Sequence, residues 1–112
     1  YDSKKIGDCL WAYTERIDHY YTKQYKIDLE HATHTFLYVA YELYDEGAIR
    51  CGNHKKEIRR KIRKRVKKVF EKYDLETYLP FHGKIRYRIF IKYPNLFEAE
   101  LALRQFRKRI FR

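Results

Sequence analysis

Residues 55–72, KKEIRRKIRKRVKKVFEK, carry eleven Lys and Arg against two Glu, and the apolar residues threaded through them decide the fold. Ile58, Ile62, Val66, Val69, Phe70 and Tyr73 recur at helical spacing and mark one narrow seam. An unanchored basic tail has no need of such spacing. A docked helix does, because it must bury one stripe and leave the rest in water. Gly52 and Asn53 form the break before it, with Asn53 as the expected N-cap. About 19 residues make a rod of roughly 28 Å.

Upstream, Ile6, Leu10, Tyr13, Ile17 and Tyr20 fall at 4-3-4-3 spacing, which predicts a first helix over about residues 3–22. A second helix is expected from Asp28, an N-cap residue type, to Gly47, whose missing Cβ suits a left-handed C-cap. Its stretch from His31 to Tyr41 has no formal charge with neutral histidines and is apolar on more than one face, which belongs in the middle of a bundle.

Downstream, residues 74–79 can add one turn before Pro80 and an expected Phe81-His82-Gly83 loop. Ile85, Tyr87, Ile89 and Ile91 then alternate with Arg86, Arg88, Phe90 and Lys92, a strand by period alone. A solitary strand leaves its amides unpaired, so a short helix using Ile85 and Ile89 competes with it. After Pro94, Asn95-Leu96-Phe97-Glu98 resembles a capping box, and Leu96, Ala99, Leu103, Phe106 and Ile110 continue at 3-4-3-4. The expected fold is all-α, a small bundle of about five helices with the second central and residues 84–93 ambiguous between helix and strand.

A length of 112 residues suits one domain, residues 1–112, with one core. Hydrophobic residues at 45% exclude a disordered tail. No apolar run approaches a membrane span and no signal-peptide core opens the chain, so a cytoplasmic location is expected without membrane contact. Met is absent even at position 1, which fits a segment of a longer polypeptide or a processed product. Scarce Asn and Gln beside abundant Lys, Arg, Ile and Tyr resemble hyperthermophile composition.

Antiparallel first and second helices would bring Cys51 near Cys9. A disulfide between them is one reading, because hyperthermophile interiors hold such bonds, and two reduced thiols the other. Metal binding is not expected: Cys51-Gly-Asn-His54 is a single ligand pair, and His31-Ala-Thr-His34 reads as two satisfied core histidines. No relaxase histidine pair, nuclease acid-x-Lys, carboxylate cluster or phosphate-cradling glycine loop is present, so the chain is not expected to be a catalyst by itself or to require a cofactor.

Charge points to the partner. Residues 1–50 hold six basic and nine acidic side chains (net −3), and residues 51–112 hold twenty and six (net +14). A field this lopsided steers polyanions. Near-absence of Glu from the third helix means that it tolerates like-charge repulsion where an ordinary exposed helix intersperses opposite charges. Lys56, Arg59, Arg60, Arg63, Lys64 and Lys67 form the expected phosphate-binding arc. Tyr87 between Arg86 and Arg88 has the interleaving of a base-stacking platform, and Arg107 adds charge from the last helix. Single-stranded DNA is the expected partner, and the same groups can also hold ATP or another nucleotide. A major-groove reader is disfavoured because this helix lacks the Asn, Gln and Ser that read base edges.

A short, basic, helical chain with a cysteine pair, thermophile-like composition and no initial Met resembles the helix-bundle accessory domain of archaeal plasmid primase-polymerases. The resemblance implies recognition of single-stranded template and nucleotides for primer synthesis during plasmid DNA replication, with a catalytic domain of the same polypeptide as partner. It carries no diagnostic motif, so no family residue is transferred. The alternative is an archaeal viral coat or DNA-packaging protein, and a third class docks the basic helix on an acidic partner or an anionic membrane surface.

Overall fold

In a computed structural model the described residues are 3–110, and they form five principal helices with no strand among them. The chain divides into two compact units, Tyr1–Leu79 and Pro80–Arg112.

In the first unit, α1 (Ser3–Thr22) buries Ile6, Leu10 and Ile17, with Tyr13 and Tyr20 half-buried beside them. It ends in a tight reversal. The Tyr25 amide donates to the Tyr20 carbonyl at 3.0 Å and the Gln24 amide to the Tyr21 carbonyl at 3.2 Å, while Gln24 sits at φ 61°. This is a Schellman closure with glutamine in the slot that usually takes glycine. Helix α2 (Lys26–Glu42) follows at once and buries Leu29, Ala32, Thr33, Phe36, Leu37, Ala40 and Tyr41.

Asp28 lies inside the first turn of α2, which begins at Lys26 with no side-chain cap. Nor does α2 stop at Gly47. It widens into a π-helical turn, Leu43–Gly47, and runs on through Ala48–Arg50, with Gly47 at φ −60°. The Gly47 backbone packs closely there, since a Cβ would lie 3.3 Å from Leu43 Cδ2, which would have to shift slightly, and in ordinary contact with Ile6 Cδ1 at 3.7 Å. The left-handed glycine is Gly52, at φ 61°. Asn53 lies within the 3₁₀ turn Gly52–His54, and the residue preceding the next helix is His54, again without a side-chain cap.

Helix α3 (Lys55–Tyr73) buries Ile58, Ile62, Val66, Val69, Phe70 and Tyr73, all six residues of the expected seam. Phe70 stacks on Phe36 of α2 with ring centroids 6.3 Å apart. Asp74, at φ 52°, closes the helix, and the single further turn is the 3₁₀ segment Leu75–Tyr78. Helix α2 packs against α1 and α3, which also meet each other directly, and it buries more residues than either. It is nonetheless not buried all round: His31, His34 and Tyr38 are exposed, so the histidines are not core residues. His34 Nε2 donates to the Tyr78 carbonyl at 2.9 Å.

The second unit pairs α4 (Phe81–Lys92) with α5 (Pro94–Ile110). The expected Phe81-His82-Gly83 loop is instead the first turn of α4, begun by extended Pro80, whose carbonyl accepts the Lys84 amide at 2.8 Å. Residues 84–92 are helical, and the alternation that mimicked a strand places Tyr87 and Phe90 inward while leaving Ile85 exposed. Helix α5 starts at Pro94, whose fixed φ suits the first helical position, so Asn95 lies inside the helix. Phe97 and Leu101 are its buried residues, and the Phe97 ring meets Phe90 edge-on at 4.9 Å. The stripe expected to be the core face, Leu96, Leu103, Phe106 and Ile110, is exposed.

Candidate nucleic-acid interface

Helix α3 sets the interface because its seam fixes its rotation. With six residues held inward, the cations must occupy the remaining arc. Lys56, Arg60, Lys64 and Lys67 are exposed, while Arg59 and Arg63 flank the seam and are half-buried. Arg59 already serves the fold: its Nε donates to the Tyr44 carbonyl at 2.8 Å and its guanidinium lies 5.2 Å from the Tyr44 ring centroid. Tyr44 belongs to the π-helical turn, where the wider winding redirects carbonyls away from the regular ladder. Glu57 is paired with Lys61 at 3.1 Å, and that hydrogen bond, followed by the charge of Lys61, lowers its pKa below the ordinary carboxylate value.

The other flank of α3 faces α1 across a groove of about 450 Å³. Its floor is aliphatic, from Ile6, Leu10, Ile58 and Ile62, and its rim carries Lys61, Lys64, Arg65 and Lys68. Gly7 opens the wall on the α1 side, since a Cβ built there meets nothing within 4 Å. An apolar slot edged by four cations suits a ligand with a flat or apolar body and an anionic head. Its volume falls in the range of about 300–1,000 Å³ usual for small-ligand clefts. Sequence reasoning missed Lys61, Arg65 and Lys68, because a count of charges does not say which flank of a helix meets a neighbour. Lys64 belongs to both the outer arc and the groove rim.

Of the residues assigned to the second unit, Arg88 and Arg107 are exposed. Arg86 lies over the Phe97 ring at 5.3 Å and 4.0 Å from a Glu100 oxygen. Tyr87 is only 6% exposed and offers no face for a base. Tyr87 is therefore not the stacking platform expected of it: the helical period turns its ring inward, with Arg88 exposed on one side and Arg86 half-buried over Phe97 on the other. Exposed aromatics lie elsewhere, at Trp11, Tyr21, Tyr25 and Tyr38 of the first unit and at Phe81, Tyr93 and Phe106 of the second. Trp11 and Tyr21 sit one residue past seam positions Leu10 and Tyr20, a signal the sequence did contain.

Cys9 and Cys51 stand in the structure as two half-buried thiols, without the bond that was one of their expected states. Among the described residues no three His, Cys, Asp or Glu side chains converge as a metal site, and no helix is long and apolar enough to cross a membrane.

No protein-family model matches the chain, and comparison with curated proteins and with solved structures gives no match.

Proposed function

We propose that the first unit is a non-catalytic binding module for single-stranded DNA, with the strand lying along α3 and one base or a nucleoside triphosphate entering the α1–α3 groove. The observation that carries this reading is the union, on one helix, of an exposed cationic arc with a groove that has an aliphatic floor and a cationic rim. Backbone phosphates are neutralised by Lys56, Arg60, Lys64 and Lys67, releasing counterions. A base in the groove covers the aliphatic stems of the rim cations above the buried Ile6, Leu10, Ile58 and Ile62, while its phosphates meet the charged ends of Lys61, Arg65 and Lys68.

Duplex DNA buries its bases in the stack and offers none to the groove, so the arrangement favours single strands. With the likeness to the accessory domain of archaeal plasmid primase-polymerases, the proposed role is template and nucleotide recognition for primer synthesis, beside a catalytic domain of the same polypeptide. Fluorescence anisotropy with a labelled single strand, a duplex, and added ATP tests it. The expected result is one-to-one single-strand binding that responds to ATP; cooperative duplex coating indifferent to ATP would refute it.

One observation favours the packaging reading: the exposed apolar stripe of α5 is a surface by which subunits could assemble. Stoichiometry separates the two, since a coat grows along DNA without limit whereas a template reader saturates on a short oligonucleotide.

A further inference from the structure

Helix α5 is apolar on two opposite faces. Phe97 and Leu101 are buried on one. On the other, Leu96, Leu103, Phe106 and Ile110 are 51–59% exposed, with exposed Ala99 completing a 3-4-3-4 series. Spacing of this kind is the a/d seam of a coiled coil, which stays in one stripe only when a partner helix lies along it. Scattered surface leucines need no explanation, but a continuous seam four turns long does.

The charges beside the seam say what covers it. Helix α5 is acidic in its first half, with Glu98 and Glu100, and basic in its last, with Arg104, Arg107, Lys108 and Arg109. A second copy laid parallel sets the basic ends together. An antiparallel copy sets the acidic half of each helix against the basic half of the other and opposes their macrodipoles favourably. Glu100 and Arg107 lie seven residues apart on the same flank of the seam, the spacing that brings Glu100 of one copy to Arg107 of the other, and the reverse, about a two-fold axis.

We propose that α5 is a self-association surface on which two copies of this chain pair antiparallel through Leu96, Leu103, Phe106 and Ile110, closing as a two-fold dimer. Within one chain Glu100 already accepts from Arg104 Nη2 at 2.8 Å, so the pairing extends an existing ion pair into a small network. The opposite flank places Ala102 against Arg109 and brings no like charges together. The proposal is independent of whether the first unit binds DNA.

Sedimentation velocity of the full chain, from about 1 µM to about 1 mM, tests it without nucleic acid. The expected result is a concentration-dependent monomer–dimer equilibrium that Leu103→Glu abolishes while circular dichroism stays helical. Glu100→Arg and Arg107→Glu should each weaken the dimer by about tenfold, and the double exchange should restore it. A wild-type chain that stays monomeric across the range overturns the proposal. Failure of the exchange to restore pairing overturns the antiparallel arrangement, and open-ended growth overturns the closed dimer.

Discussion

The hydroxyl of Tyr73, the last residue of α3, donates a 2.6 Å hydrogen bond to Asp18 Oδ1 of α1. It ties the far end of the basic helix to the helix that forms the other wall of the groove. The ring also meets Tyr21 at 5.0 Å, so both the polar and apolar parts of Tyr73 are engaged with α1.

Tyr73→Phe should therefore lower unfolding free energy by about 2 kcal/mol, as expected for a hydrogen bond to a charged acceptor. Burial, then the bond to Asp18, raises the Tyr73 pKa above its ordinary value of 10.0. A raised folded-state pKa contributes stability that is complete below the unfolded value and is lost as pH rises through the folded one. The gap between wild type and Tyr73→Phe in urea unfolding should thus be constant from about pH 6, where the acceptor carboxylate is ionised, to about pH 10, and narrow above it. A gap that widens with alkalinity would contradict the assignment.

Gln24 holds a left-handed conformation in the α1–α2 reversal, at φ 61°. Gln24→Gly removes that strain and should stabilise the fold by about 0.5–1 kcal/mol, while Gln24→Val should destabilise it. Thermal melts of the three proteins give the order.

Arg59 and Arg60 are neighbours in sequence with different duties. Arg59→Ala should reduce stability by about 1–3 kcal/mol through loss of its bond to the Tyr44 carbonyl and its contact with that ring. Arg60→Ala should leave stability nearly unchanged and weaken DNA binding. Equal effects of both on unfolding would contradict the structural role of Arg59.

Gly7→Ala should stabilise α1 by about 1 kcal/mol, since its Cβ meets open space. Gly7→Leu directs a larger group toward the groove and should reduce nucleotide affinity at unchanged fold. Isothermal titration with ATP checks it; undiminished affinity would remove the groove from the account.

The seam of α3 was legible to the residue, because a helix so charged can bury only its few apolar positions, and Ile58 to Tyr73 are all of them. Alternation misled at residues 85–92, where Ile85 and Ile91 share a strand-like period with Tyr87, yet the helix turns Tyr87 and Phe90 inward. In α5 the longer apolar stripe from Leu96 to Ile110 concealed the shorter one, Phe97 and Leu101, that packs; periodicity finds a face but not its partner. Local signals at Asp28, Gly47 and Asn53 each marked a plausible helix end, but a π turn and a 3₁₀ turn continued the winding past two of them. The groove was illegible for a related reason. Its cations, Lys61, Arg65 and Lys68, differ from those of the open arc only in facing α1, a tertiary fact.

Under the proposed function the outward arc of α3 binds the DNA strand. The most direct measurement is anisotropy of a labelled single strand of about 20 nucleotides, at two salt concentrations, against wild type and the variant carrying Lys56→Glu, Arg60→Glu and Lys64→Glu. All three side chains are exposed, so circular dichroism should report an intact fold. Wild type should bind saturably and lose affinity with salt, and the variant should not bind; undiminished binding by a folded variant would remove the arc as the DNA surface.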